Sequence, residues 1–306
     1  MNKIYWAGYH PERSVQAKGI LHLKKKLEEI YPNNLEFKFV SDIGDLNYNA
    51  IDLLRLVEEG EIDCCYFFSS YLTERVEELN LFEIPFQISS RDQVYNLLDG
   101  SVGEYISQKV ENNTGYKVLG YWDNGIRHIS SNNRHIKSFE DCKASSIRIA
   151  NNKMHEDVFR AIGFQPKFID VKKLKNAVIT GEVNTQENPL TNIINYGIED
   201  YHPYITLSSH LFGTSILLCN KKKFYNWDQD FRDHLQEQLK EATKYQRSLA
   251  MEEDVTCMKL LKDKGTKIME IDPNFRNQLK SIAFNIGEVE IKKFPKDIQQ
   301  KFNELI

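Results

Sequence analysis

Leu35-Glu36-Phe37-Lys38-Phe39-Val40 and Glu61-Ile62-Asp63-Cys64-Cys65-Tyr66-Phe67-Phe68 are the runs on which the fold turns. Both are short, apolar and aromatic-rich, as strands are. Upstream, Ala17, Ile20, Leu23, Leu27 and Ile30 repeat at helical spacing between an opening strand that reaches Trp6 and the run at Leu35. The pattern is strand, helix, strand, helix. It continues with helical stretches after Arg91 and Val102, a strand over Tyr116 to Trp122, a short strand over Ile147 to Ile149 and a helix around His155 to Ile162. Such alternation predicts an α/β fold, with mainly parallel sheets flanked by helices on both faces.

Further along, Phe231, Leu235, Leu239, Ala242 and Leu249 recur through one helical pattern from Asp228 to about Lys262, with Asp228 placed to cap it. At the standard rise it would run about 50 Å, longer than one small lobe is wide. It is read either as a surface helix with a charged outer face or as a strut spanning two lobes. Asp272-Pro273 then opens another helix, Asp as cap and Pro in the first turn.

The chain has 306 residues, about two domains' worth, with 41% hydrophobic and 27% charged residues. That composition fits a soluble folded protein rather than a disordered or disulfide-scaffold chain. Forty Lys plus Arg against forty-four Asp plus Glu give a net charge of −4, so no global positive excess draws it to nucleic acid or anionic membrane. Any bound anion needs a local site. No apolar run reaches the length of a spanning helix, and the opening Met1 to Trp6 lacks a signal peptide's apolar segment. The sequence therefore suits a cytoplasmic protein or a mature form whose leader has been removed. The five cysteines are odd in number and lack metal spacing, which leaves the redox compartment open.

Common catalytic signatures are missing. There is no Gly-x-Ser-x-Gly elbow, no Gly-x-x-x-x-Gly-Lys loop, no Gly-x-Gly-x-x-Gly after the first strand and no His-Glu-x-x-His. The eight histidines are scattered, and the nearest pairs, His128 with His135 and His202 with His210, lack further ligands. No catalytic residue, metal or cofactor is expected, although a nucleophile and its base can lie far apart in sequence.

The informative segment is Tyr121-Trp122-Asp123-Asn124-Gly125-Ile126-Arg127-His128, then Ile136-Lys137-Ser138-Phe139-Glu140-Asp141-Cys142-Lys143, Ile147-Arg148-Ile149, and Gly181-Glu182-Val183-Asn184-Thr185-Gln186-Glu187-Asn188-Pro189-Leu190. In order and spacing it resembles the solute-binding proteins of TRAP (tripartite ATP-independent periplasmic) transporters, the DctP-like family. That family carries a Trp-Asp-Asn-Gly-x-Arg loop, a Lys-Gly-x-x-Ile-Arg-Val strand and a Gly-Gln-Glu-Asn-Pro turn at nearly these separations. The resemblance runs from the opening strand to near Lys262.

Arg148 also stands on its own chemistry. Lying between Ile147 and Ile149, it points to the opposite face of the strand, near the carboxyl end where open α/β sheets place ligands. A guanidinium offers paired planar donors that match a carboxylate's two oxygens, and the match strengthens away from water.

The resemblance implies that Arg148 clamps the ligand carboxylate, that Arg127 assists and that Asn188 hydrogen-bonds the same anion. Arg127 has a second reading, as a surface residue or a partner of Asp123, and Asn188 as a helix cap before Pro189. Gln186 and Glu187 read as structural. Aromatic and polar residues at strand ends complete the expected set: Trp6, Tyr9, His10, Phe68, Ser69, Tyr71, Trp122, His210 and Phe212. Most aromatics of this kind are core, with a few left to stack on substrate.

Asp42-Ile43-Gly44 stands where the family often has Gln-Leu-Gly, Val171 or Lys173 where it has an acidic or aromatic residue, and Asn184-Thr185 where it has Asp-Gly. These departures leave the carboxylate clamp intact and the ligand's identity open.

The implied molecule is a two-lobed periplasmic-binding-protein-like fold with residues 1–123 and 211–250 in lobe I, 124–210 and 251–306 in lobe II, and the long helix crossing between them. It would close around a small organic acid in an interlobe cleft and deliver it to TRAP membrane permease subunits. The expected protein is a periplasmic monomer, its leader removed, with no nucleic-acid partner. The rival readings are a cytosolic hydrolase or isomerase acting on a carboxylate, and an extracytoplasmic sensor without a transporter.

Overall fold

The computed structural model describes residues 1–88 and 90–305. Nine strands alternate with helices: β1 Asn2–Ala7, β2 Leu35–Val40, β3 Cys64–Phe68, β4 Tyr116–Ser131, β5 Ser146–Ile149, β6 Gln165–Phe168, β7 Thr185–Pro189, β8 Tyr204–Asn220 and β9 Lys267–Glu270. The chain divides into two compact units. Unit 1 comprises Met1–Ser69, Glu104–Asn124 and Thr214–Glu252; unit 2 comprises Ser70–Gly103, Gly125–Gly213 and Glu253–Ile306. The strands β4 and β8 and the helix Gln229–Asp263 each run from one unit into the other.

In unit 1, β1 pairs in parallel with β2 from Asn2↔Leu35 to Ala7↔Val40, and with β3 at Trp6↔Cys64. The far half of β8 closes the set antiparallel to β3, from Cys64↔Cys219 to Phe68↔Ser215. The connecting helix Val15–Ile30 starts where the Ser14 side chain accepts the Ala17 amide, and it buries Ala17, Ile20, Leu23 and Leu27, the stripe read from the sequence. Phe231, Leu235, Leu239 and Ala242 of the long helix are buried in this unit.

In unit 2, β5 pairs in parallel with β6 and β7, and the near half of β4 lies antiparallel to β7 from Arg127↔Pro189 to Ser131↔Thr185. The near half of β8 pairs in parallel with β9. Helices Val171–Ile179 and Leu190–Asn195 cover this region, burying Leu174, Val178, Leu190 and Ile193 with Cys257 and Leu261 from the end of the long helix. Each unit therefore mixes a parallel trio with an antiparallel long strand, rather than being uniformly parallel.

Two expectations change. The strand expected over Tyr116 to Trp122 continues to Ser131, so the Asp-Asn-Gly-x-Arg segment is strand rather than loop. Gly125 makes that possible: its φ is 90°, and a Cβ there would stand 2.6 Å from the Pro189 Cβ. The segment Ser70–Gly103, expected in lobe I, packs in unit 2. Its polar anchors explain why: Arg91 Nη2 donates to Asp254 at 2.6 Å, the Phe86 amide donates to the His210 carbonyl at 2.5 Å, and Glu83 is held by His155. Moving this stretch would leave those groups buried and unsatisfied.

Candidate ligand-binding site

The register of unit 2 builds the site. Ser130 on β4 opposes Gln186 on β7, and Gln186 opposes Arg148 on β5, so the three side chains share one face. Gln186 Nε2 donates to Ser130 Oγ at 2.6 Å, and Asn188, two residues on and hence on the same face, donates its Nδ2 to Gln186 Oε1 at 2.5 Å. Asn188 is no helix cap: the cap position of the following helix is Pro189.

Arg127 reaches the same group of residues by another route. Its Nε and Nη2 take the two carboxylate oxygens of Glu187, the second at 2.8 Å, and Nη2 also meets Asn188 Oδ1 at 3.2 Å. Glu187, read from the sequence only as structural, is thus the acid that Arg127 selects, in place of Asp123. Burial alone would raise the Glu187 carboxyl, but the Arg127 charge and the hydrogen bonds from His210 and Arg127 hold it well below the usual carboxylate range. His210 lies 3.3 Å from Glu187 through Nε2 and 2.7 Å from Ser208 Oγ through Nδ1. A carboxylate only accepts, so Nε2 carries the proton, and burial lowers the pKa of the ring and keeps it neutral. His210 accordingly positions Glu187.

Arg148 differs from Arg127. It is 3% exposed, its Nε donates to the Ile169 carbonyl at 2.8 Å, and it donates to the Tyr71 hydroxyl. Among the described residues it has no acidic partner within ion-pair distance. Asp170, beside the carbonyl that Arg148 holds, caps the helix Val171–Ile179 by accepting the Lys172 amide. Burial raises the Tyr71 phenol while the Arg148 charge draws it down; Tyr71 also feels Arg127, so the phenol lies within reach of both cations.

A second buried acid, unforeseen in the sequence, completes the cluster. The Glu83 carboxylate accepts from Ser70 Oγ, His155 Nε2 lies 3.1 Å from the Glu83 main-chain carbonyl and 3.2 Å from its carboxylate, and the Glu83 charge acts on Arg127. The available signal was an acid inside the apolar run Leu81-Phe82-Glu83-Ile84-Pro85-Phe86.

The remaining expected residues fall in two groups. In unit 1, the rings of Tyr9, His10 and Tyr66 lie 4.2 to 5.9 Å apart by centroid, His10 stacked on Tyr66 and Tyr9 tilted against both, and burial lowers the His10 pKa to about 3. Phe68 is buried, and Ser69 Oγ donates to the Thr214 carbonyl at 2.9 Å. Trp6 is fully buried, and so is Trp122, whose Nε1 donates to Thr243 and whose ring fills the space over Gly19. In unit 2, Phe212 packs edge-on against Tyr95 rather than joining the Arg148 cluster. Of the set, Arg148, Arg127, Asn188, Tyr71 and His210 come together.

The family model described as bacterial extracellular solute-binding protein, family 7 (DctP), matches residues 6–293. The chain belongs to this family. Among its relatives, the 2,3-diketo-L-gulonate-binding periplasmic protein YiaO of Escherichia coli is 25% identical over 253 residues, 82% of this chain and 75% of YiaO. The C4-dicarboxylate-binding periplasmic protein DctP of Rhodobacter capsulatus is 25% identical over 240 residues, 78% of this chain and 68% of that protein. In fold, the family 7 chain matches a TRAP periplasmic solute-binding protein from Sulfurospirillum deleyianum, solved with bound succinate, at a TM-score of 0.91 and 24% identity over 100% of both chains. No helix among the described residues of this family 7 member is long and apolar enough to cross a membrane.

Proposed function

We propose that this family 7 protein is a periplasmic receptor that binds a small organic acid through Arg148 and passes it to the membrane subunits of a TRAP permease. The observation that carries the reading is the state of Arg148: buried, oriented through Nε by a backbone carbonyl, and without an acid among the described residues. Burying a guanidinium costs several kcal/mol unless an anion answers it. A ligand carboxylate supplies that anion, and the Tyr71 hydroxyl beside Arg148 and the Asn188 amide offer it further hydrogen-bonding groups. The names of YiaO and DctP, both acid-binding, support the same reading. Membership of a solute-binding family leaves the hydrolase or isomerase alternative without support.

A thermal-shift screen over organic acids tests it. At least one acid should raise the melting temperature in a concentration-dependent way, because it binds only the native state. The shift should vanish in Arg148→Gln. An equal shift in the variant would remove Arg148 from the site. For the permease, the expected observation is that genes for the membrane subunits lie beside this one.

A further inference from the structure

We infer that Cys64 and Cys219 form a cross-strand disulfide as the chain folds in an oxidising compartment. The inference concerns unit 1 alone and uses neither Arg148 nor its ligand. All five cysteines are buried thiols in the structure, and strand register brings two of them face to face. Cys64, the first residue of β3, opposes Cys219 of β8 in an antiparallel ladder. Just outside this pair the Asn220 amide donates to the Asp63 carbonyl at 2.8 Å. The alternation of an antiparallel ladder then makes Cys64 and Cys219 a non-hydrogen-bonded pair, the class in which opposed side chains come closest.

Cα atoms of such a pair stand about 4.5 Å apart, inside the range of about 4.4–6.8 Å that a disulfide spans. The two thiols are already hydrogen-bonded to each other, and Cys219 Sγ lies 3.5 Å from the Asn220 carbonyl. Cys65 takes the other face of β3, opposite Leu218, while Cys142 and Cys257 lie in unit 2. Register therefore singles out one pair from five cysteines.

The reaction is thiol–disulfide exchange with an external disulfide, the kind of oxidant that oxidising compartments hold. The thiolate of one cysteine attacks a sulfur of that disulfide and expels the other half. The second cysteine then attacks the mixed disulfide and expels the remaining half. One bond joins Cys64 to Cys219, and the oxidant leaves as two thiols carrying the pair's two electrons and two protons. Burial sets the timing. Both side chains are completely shielded from solvent, and burial raises the Cys64 thiol, so little thiolate forms once the strands have closed. Exchange belongs to folding, before β8 seals β3, and the finished bond ties together strands far apart in the chain.

Refolding the full chain from the reduced, denatured state tests this, in a glutathione redox buffer and separately in excess dithiothreitol. Free thiols are counted by alkylation in denaturant, and linked peptides are mapped by fragmentation mass spectrometry. The expected count is three after glutathione and all five after dithiothreitol, with the link at Cys64 and Cys219. Cys65→Ala should keep the link and Cys64→Ala should lose it. Five thiols in both buffers would overturn the inference, as would a link through Cys65, Cys142 or Cys257, and these readings on the parent chain hold even where a variant fails to fold. Oxidised glutathione added to the chain already folded in its reduced form should remove two thiols at least about tenfold more slowly than refolding does; equal rates would overturn the assignment of the exchange to folding.

Discussion

Glu187 holds Arg127 diagonally across the β4 and β7 ladder: Arg127 is opposite Pro189, and its guanidinium turns back two residues to take both oxygens of Glu187. Both side chains are almost fully buried. Arg148, one strand further on, has no acid within ion-pair distance among the described residues. Removing one member of a buried pair leaves the other charge uncompensated, so Glu187→Ala should lose about 3–5 kcal/mol of stability. Urea unfolding measures this; a midpoint within error of the parent would mean that water reaches Arg127.

Arg148→Lys keeps the charge but removes the planar fork and the Nε contact with the Ile169 carbonyl. The expected loss of affinity for the acid found by screening is at least about tenfold, near 1.4 kcal/mol. Calorimetry reads it directly, and an unchanged dissociation constant would place the ligand carboxylate elsewhere.

Acid should destabilise this fold well before its carboxylates titrate. Burial lowers His10 and His128 to about 3 and His202 to about 4. Their unfolded value is about 6.5, so between that value and the folded ones the unfolded chain binds more protons and stability falls as pH falls. Each such histidine contributes up to about 1.4 kcal/mol per pH unit in that window. Glu187 acts in a lower one. Its folded pKa is depressed, so its contribution is present above about 4.3 and lost on further acidification. The melting temperature should therefore decline steadily from pH 6.5 downward; a profile flat to pH 5 would contradict the neutral, buried histidines.

Gly125 sits within β4 at φ 90° and against Pro189. An alanine there strains the backbone and forces Pro189 away, displacing Asn188 and the ladder that aligns Arg127. Gly125→Ala should cost more than about 1 kcal/mol and weaken acid binding together with stability. Chemical denaturation paired with calorimetry would reveal either effect, and wild-type values in both would show that the positive φ at Gly125 is not needed.

By itself the sequence determined the local elements, among them the strand that carries Arg148. The stripe Ala17, Ile20, Leu23, Leu27 gave its helix, the runs at Leu35 and Glu61 gave their strands, and the alternation around Arg148 placed it on a short strand, because each of these patterns depends only on neighbours a few residues apart. Tertiary structure alone decided that Arg127 pairs with Glu187 instead of Asp123, that Ser70–Gly103 packs in unit 2, that Glu83 joins the cluster, and that Trp122 is committed to Thr243 and Gly19. Those outcomes depend on strand register and on which buried donors meet which acceptors. Such contacts join residues tens of positions apart, and no periodicity along the chain records them.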